Sequence, residues 1–161
     1  FGGSVTVTTE NIITVTSKEF AQELYNKGAR VLIFVEYVPV TKNTRNLAPT
    51  YKERLILEEK VEELRKAFEN MVFLSFPGDE KYSGGCLAAG RGFFHINAKG
   101  GAEPCPFSPY SDVNLKESSL REALKSQLLK KLKDNEMLIG EHDGGCLLFE
   151  NEEKVKKLNM N

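Results

Sequence analysis

The sequence predicts an α/β fold, and three observations carry that prediction. Residues 30–40 (RVLIFVEYVPV) and 71–76 (MVFLSF) are almost continuously β-branched, aliphatic or aromatic. Such runs read as strands buried on both faces, as in parallel sheets. Two capping boxes, Thr16-x-x-Glu19 and Thr50-x-x-Glu53, each open a segment with apolar residues at helical spacing. Strand and helix signals therefore alternate, as they do where parallel strands are joined by helical crossovers.

The elements follow in order. Residues 4–8 (SVTVT) alternate, with Val5 and Val7 on one face and Ser4, Thr6 and Thr8 on the other, which predicts the first strand. Thr16 caps a helix carrying Phe20, Ala21, Leu24 and Tyr25, and Gly28 is placed to stop it. Residues 30–40 form the second strand, and residues 41–49 a polar loop. From Thr50, apolar Leu57, Val61, Leu64 and Phe68 define a helix of about five turns. The third strand, residues 71–76, ends at Pro77-Gly78.

Beyond Gly78, Gly, Pro and Cys become dense, and a boundary near Ser83 divides the chain into residues 1–82 and 83–161. Residues 92–97 and 102–105 flank Ala98-Lys99-Gly100-Gly101, a hairpin signal. Ser119-x-x-Glu122 is a third capping box, with Leu120, Leu124, Leu128 and Leu132 on one stripe. Residues 141–150 read as a loop or short element around Cys146, followed by a charged, partly exposed helix from Asn151.

Composition excludes some functions. The chain has 161 residues, with 22 Lys and Arg against 23 Asp and Glu. No basic cluster falls on one face, so no nucleic-acid partner is expected. No apolar run is long enough to span a membrane, and no signal-peptide pattern is present. Phe1 in place of an initiator Met points to a fragment of a larger protein. Three cysteines are an odd number. That argues against a disulfide-stapled domain and for a reducing, cytoplasmic setting.

The cysteines are spaced C-x18-C-x40-C. Two share a neighbour pattern, Gly84-Gly85-Cys86 and Gly144-Gly145-Cys146, whose glycines allow close backbone approach and can aim N–H groups at a ligand. Cys105 lies between Pro104 and Pro106, which fix the chain. The residues alone leave two readings open. The cysteines are metal ligands, or they are buried small hydrophobes, as free cysteines often are. A structural zinc site needs a fourth ligand, for which His142 or His95 is available. His142, in EHDGGC, is the better placed; His95, flanked by Phe94 and Ile96, reads as a structural strand histidine. A redox switch is disfavoured by the lack of CxxC and of an adjacent base. Arg91 reads as an anion contact or a surface arginine. Glu36 stands inside an apolar strand, where a carboxylate needs a partner; it either lines a site or closes a salt bridge.

The stretch CLAAGRGFFHINAKGGAEPCPFSPYSDVNLKESSLREAL resembles the auxiliary-cluster region of radical S-adenosylmethionine enzymes of the SPASM/twitch type. The resemblance rests on Cys86, Ala89-Gly90, Gly100-Gly101, Pro104-Cys105-Pro106, Asn114 and the Leu120 helix, taken in order. SVTVT, RVLIFVEYVPV and MVFLSFPGD resemble the last three strands of that family's partial (β/α)6 barrel. The implied architecture is the C-terminal half of a partial TIM-like barrel, residues 1–82, followed by a small hairpin-plus-helix cysteine domain, residues 83–161.

The resemblance implies that Cys86, Cys105 and Cys146 hold an auxiliary [4Fe–4S] cluster, with His142 or Asp143 as a local fourth ligand. It also implies that Ser4, Thr6 and Glu36 face the S-adenosylmethionine and substrate side of the barrel. The defining C-x3-C-x2-C motif, which holds the catalytic [4Fe–4S] cluster, is absent from the chain. The parent is thus expected to be an oxidoreductase acting on a peptide or small molecule, and this chain alone inactive. The alternative is a structural or interaction module, metal-free or stabilised by zinc. In the half-barrel the outer strands are unpaired, so the fragment is expected to dimerise or cover an edge with its own tail.

Overall fold

A computed structural model describes residues 1–139 and 146–160. The fold is mixed α/β, and the chain divides into two units, Phe1–Asp79 and Glu80–Asn161. Among the described residues, no helix is long and apolar enough to cross a membrane.

In the first unit, β1 (Gly2–Val7), β2 (Val31–Glu36) and β3 (Val72–Phe76) form a parallel sheet in the order β1-β2-β3. The register sets Val5 beside Phe34, Val7 beside Glu36 and Phe34 beside Ser75. Neighbouring residues in register share a face, so Val5, Val7, Leu32, Phe34, Glu36, Phe73 and Ser75 lie on one side. The apolar members of that set join a core with Ala21, Leu57, Val61 and Leu64. The opposite side carries Ser4, Thr6, Ile33, Val35, Leu74 and Phe76, none of them fully buried.

The helices largely follow their caps. Thr50 and Glu53 close both bonds of a capping box at the start of α3 (Tyr51–Ala67), which buries Leu57, Val61 and Leu64. Each such side chain contributes roughly 1.5–3 kcal/mol. The first helical segment differs from expectation. Thr16 does not open it; its hydroxyl donates to the Ile12 carbonyl at 2.6 Å and closes a short helix, α1 (Ile12–Val15). Ser17 is the cap of α2 (Lys18–Asn26), accepting the Phe20 amide at 3.1 Å. The two hydroxyls are adjacent, and the one with extended backbone at the helix start takes the capping role. Gly28, at φ +99, ends the run as expected.

In the second unit the hairpin is shorter than its sequence signal, with β4 (His95–Ile96) paired antiparallel to β5 (Ala102–Glu103). The leucine stripe is broken. Ser119 caps α4 (Leu120–Ala123) with a full capping box, but Ser126 then starts a separate helix, α5 (Gln127–Asp134), accepting the Leu129 amide at 3.0 Å. Asp112 accepts the Leu128 amide at 2.8 Å. Leu128, Leu129 and Leu132 are therefore buried, whereas Leu120 and Leu124 are exposed. Two further helices, α6 (Leu147–Glu150) and α7 (Glu152–Met160), contribute Leu148 and Val155 to the same core.

Candidate metal centre

Each cysteine reaches the centre by a different local device. Before Cys86, Gly84 and Gly85 have φ of +71 and +107. Only glycine takes such values without strain, so the chain can reverse just ahead of the thiol. Their amides are not aimed at a ligand, as the sequence suggested; they donate to the carbonyls of Lys81 at 3.3 Å and Glu80 at 3.0 Å. Cys105 lies in a tight turn, bridged to Ser108, whose amide donates to the Cys105 carbonyl at 2.9 Å. Cys146 immediately precedes α6. Cys86 and Cys105 are buried in one apolar cluster with Ala88, Ala89, Leu128, Leu129 and Leu132, and half-buried Cys146 lies against that cluster. His142, Asp143, Gly144 and Gly145 lie outside the described residues.

The thiols interact. Interaction with the Cys146 side chain raises the Cys105 pKa, with burial adding to the rise. The same interaction lowers Cys146 to about 7 against the opposing effect of burial. The amide dipoles of Phe149 and Leu148 assist without closing a side-chain cap. Burial pushes Cys86 up to about 12, partly offset by the Ala88 amide; the charges of Glu80 and Cys146 add to the rise. One sulfur of the three is thus predisposed to be a thiolate, and the other two need a cation to ionise them.

Two side chains that the sequence did not single out complete the surroundings. Glu80 is 6% exposed, and its Oε1 accepts the Leu87 amide at 3.1 Å. Ser108 is 1% exposed, and its hydroxyl has no hydrogen-bond partner among the described residues. The only sequence signal for either was proximity to a cysteine. Arg91 is tied into the loop around Cys86 rather than loose on the surface. Its guanidinium donates to the carbonyls of Cys86, Leu138, Ser83 and Gly84 at 2.6–3.3 Å.

His95 pairs through Nδ1 with Oε2 of buried Glu103 at 2.8 Å. Asn97 Nδ2 donates to Glu103 Oε1. This network fixes the hairpin by giving a buried carboxylate two partners, and His95 is not grouped with the thiols.

The residues expected to face a cofactor in the first unit do not share one face. Ser4 and Thr6 are exposed on the side of the sheet away from the core. Glu36 lies on the core side, 4% exposed, where its Oε2 accepts Arg54 Nε at 2.7 Å from α3. The ion pair answers the burial of Glu36.

Among the described residues, no three His, Cys, Asp or Glu side chains are arranged to hold a single metal ion. One tetrahedral zinc would draw its sulfurs to about 3.8 Å from each other, given Zn–S bonds of about 2.3 Å. A four-iron cluster asks for wider spacing, because each thiolate binds a different iron. No family model matches this chain, and no curated protein or solved structure matches it either.

Proposed function

We propose that this chain is the C-terminal part of a radical S-adenosylmethionine oxidoreductase in which Cys86, Cys105 and Cys146 hold an auxiliary [4Fe–4S] cluster. The observation that carries the reading is the meeting of three thiols, separated by 18 and 40 residues, in one buried cluster. The parallel sheet in the order β1-β2-β3 supports a role as the last three β/α units of a partial (β/α)6 barrel. In that reading β1 and β3 are barrel strands awaiting neighbours, and an isolated fragment would meet a second copy along an edge. The exposed polar face with Ser4 and Thr6 is the side available to S-adenosylmethionine and to a peptide or small-molecule substrate. Glu36 is assigned to holding α3 on the sheet.

A cluster at these thiolates relays electrons, or presents an open iron to a substrate atom. The chain's own part is to supply the thiolates, exclude water with the leucines of α5, and hold the Cys86 loop through Arg91. Without C-x3-C-x2-C the chain does not itself cleave S-adenosylmethionine, and its setting is expected to be the reducing cytoplasm.

The test is anaerobic reconstitution, followed by iron and zinc content and a visible spectrum. About four irons per chain with broad absorption near 400 nm are expected. Stoichiometric zinc, or no metal and three titratable thiols, would replace this reading with a structural or interaction module.

A further inference from the structure

We propose that His95, oriented by Glu103, is an acid–base site: its Nε2 takes the proton of a water or hydroxyl that attacks an ester-type carbonyl ligand, and returns it to the leaving oxygen. The inference lies within the second unit and does not depend on what the thiols hold. The strands β4 and β5 set His95 and Glu103 opposite each other in register, and Nδ1 meets Oε2 at 2.8 Å. Asn97 Nδ2 donates to the other carboxylate oxygen. Asn97 is itself fixed, because its Oδ1 accepts the amides of Lys99 at 2.9 Å and Gly101 at 3.0 Å. A carboxylate only accepts, so in the neutral ring Nδ1 carries the proton and Nε2 keeps its lone pair. The histidine side chain is 39% exposed, against 6% for Glu103. Among the described residues Nε2 has no partner, Nδ1 making the bond of this ring.

Holding a hairpin together does not require this arrangement. A pair of neutral amides or hydroxyls would bridge the two strands without burying a carboxylate. An anchored carboxylate, a ring held by it in one tautomer, and a second ring nitrogen left open are the parts by which an imidazole base is positioned. The neighbours do not favour a metal-ligand role: among the described residues, no three His, Cys, Asp or Glu side chains are arranged to hold an ion. No hydroxyl or thiol of the described residues bonds Nε2 either, so the attacking oxygen belongs to water or to the ligand. As that oxygen bonds to the carbonyl carbon, its proton passes to Nε2. The imidazolium then faces Glu103, which stays unprotonated. The bond from carbon to the leaving oxygen breaks as Nε2 gives the proton back. Nothing is oxidised or reduced.

The test uses the chain as it stands with ethyl dichloroacetate, an ester whose activated carbonyl and poor leaving group favour base catalysis over attack by nitrogen. Acid release is followed at about pH 7.5, where imidazole is ordinarily neutral. Wild type should add a protein-dependent rate that slows in heavy water, because a proton moves in the step. His95→Gln should lower that rate about 10-fold or more. Glu103→Gln should lower it about 10-fold with His95 still present, since an amide offers one acceptor oxygen to two donors, Nδ1 and Asn97 Nδ2. Either variant matching wild type, or a rate unchanged in heavy water, would overturn the proposal. Nitrogen-15 spectra of wild type with labelled histidine give a readout that does not depend on the variants folding: Nδ1–H with a bare Nε2 is expected at His95, and the opposite tautomer overturns the assignment. Iron uptake enters none of these outcomes, so this proposal and the cluster reading fail separately.

Discussion

Arg91 Nη1 lies 2.7 Å from the carbonyl oxygen of Leu138, 47 residues along the chain, and 2.6 Å from that of Cys86. One guanidinium therefore ties the Cys86 loop to the end of the segment that follows α5. Charge-assisted bonds of this kind contribute about 1.5–3 kcal/mol each, though bonds sharing one donor group do not add fully. Arg91→Ala should lower unfolding stability by about 3 kcal/mol and reduce iron uptake, because the loop carrying Cys86 loses its tether. Arg91→Lys should recover less than half of the stability, since an ammonium cannot fork across separate carbonyls. Urea unfolding of both variants checks the first point, and iron content after reconstitution the second. A lysine variant equal to wild type would remove the forked geometry from the account.

Glu36 and Arg54 offer a test confined to the first unit. Glu36 is buried and its ion-pair partner is largely buried. Removing the partner leaves an anion in the core beside Val7, so Arg54→Ala should cost about 3 kcal/mol. Replacing both, as Glu36→Leu with Arg54→Met, should recover most of that loss, because a packed apolar pair avoids the desolvation cost. Urea unfolding of the single and double variants measures the coupling. A larger effect on cofactor or substrate binding in the parent than on stability would return Glu36 to the site and refute the structural assignment.

What could be read in the sequence and what could not divide along the range of the interactions. The capping boxes at Thr50 and Ser119 use residues three apart, and both form. The strands were legible because Leu32, Phe34 and Phe73 are apolar whichever neighbours they meet. The stripe from Leu120 to Leu132 was misleading because helical spacing continues across Ser126, whose extended backbone breaks it. Capping at Thr16 or at Ser17 looks alike in sequence; the choice depends on where α1 ends. Arg91, Glu80 and Glu103 were opaque for a different reason. Their partners are backbone groups or side chains brought near by the fold, and no local periodicity marks such a carboxylate or guanidinium as buried. For the cysteines, flanking glycines and prolines hinted at rigid placement, but only the fold brings Cys146 to Cys105.

The thiols make the last prediction, for the metal-free chain. The thiolate is the reactive form. Cys146 is lowered to about 7 by its interaction with Cys105, whereas burial holds Cys86 at about 12, and Cys105 is raised by Cys146 and by burial. Alkylation by iodoacetamide, mapped by mass spectrometry, should therefore reach half its limiting rate at Cys146 near pH 7, with Cys86 and Cys105 largely unmodified until the chain unfolds. Stability should follow with a definite sign. An unfolded thiol ionises near 8.5. From about pH 7 to about pH 8 the folded chain holds fewer protons at Cys146 than the unfolded chain, and this outweighs the other two thiols, so stability rises with pH. Above about 8.5 the unfolded chain loses protons from Cys86 and Cys105 that the folded chain keeps, so stability falls. Melting temperatures of wild type and Cys86→Ser across this range isolate the effect, and the serine variant should decline less steeply above pH 8.5. A variant that declines as steeply as wild type, or alkylation that strikes Cys86 first, would show that the buried thiols do not titrate as their packing requires.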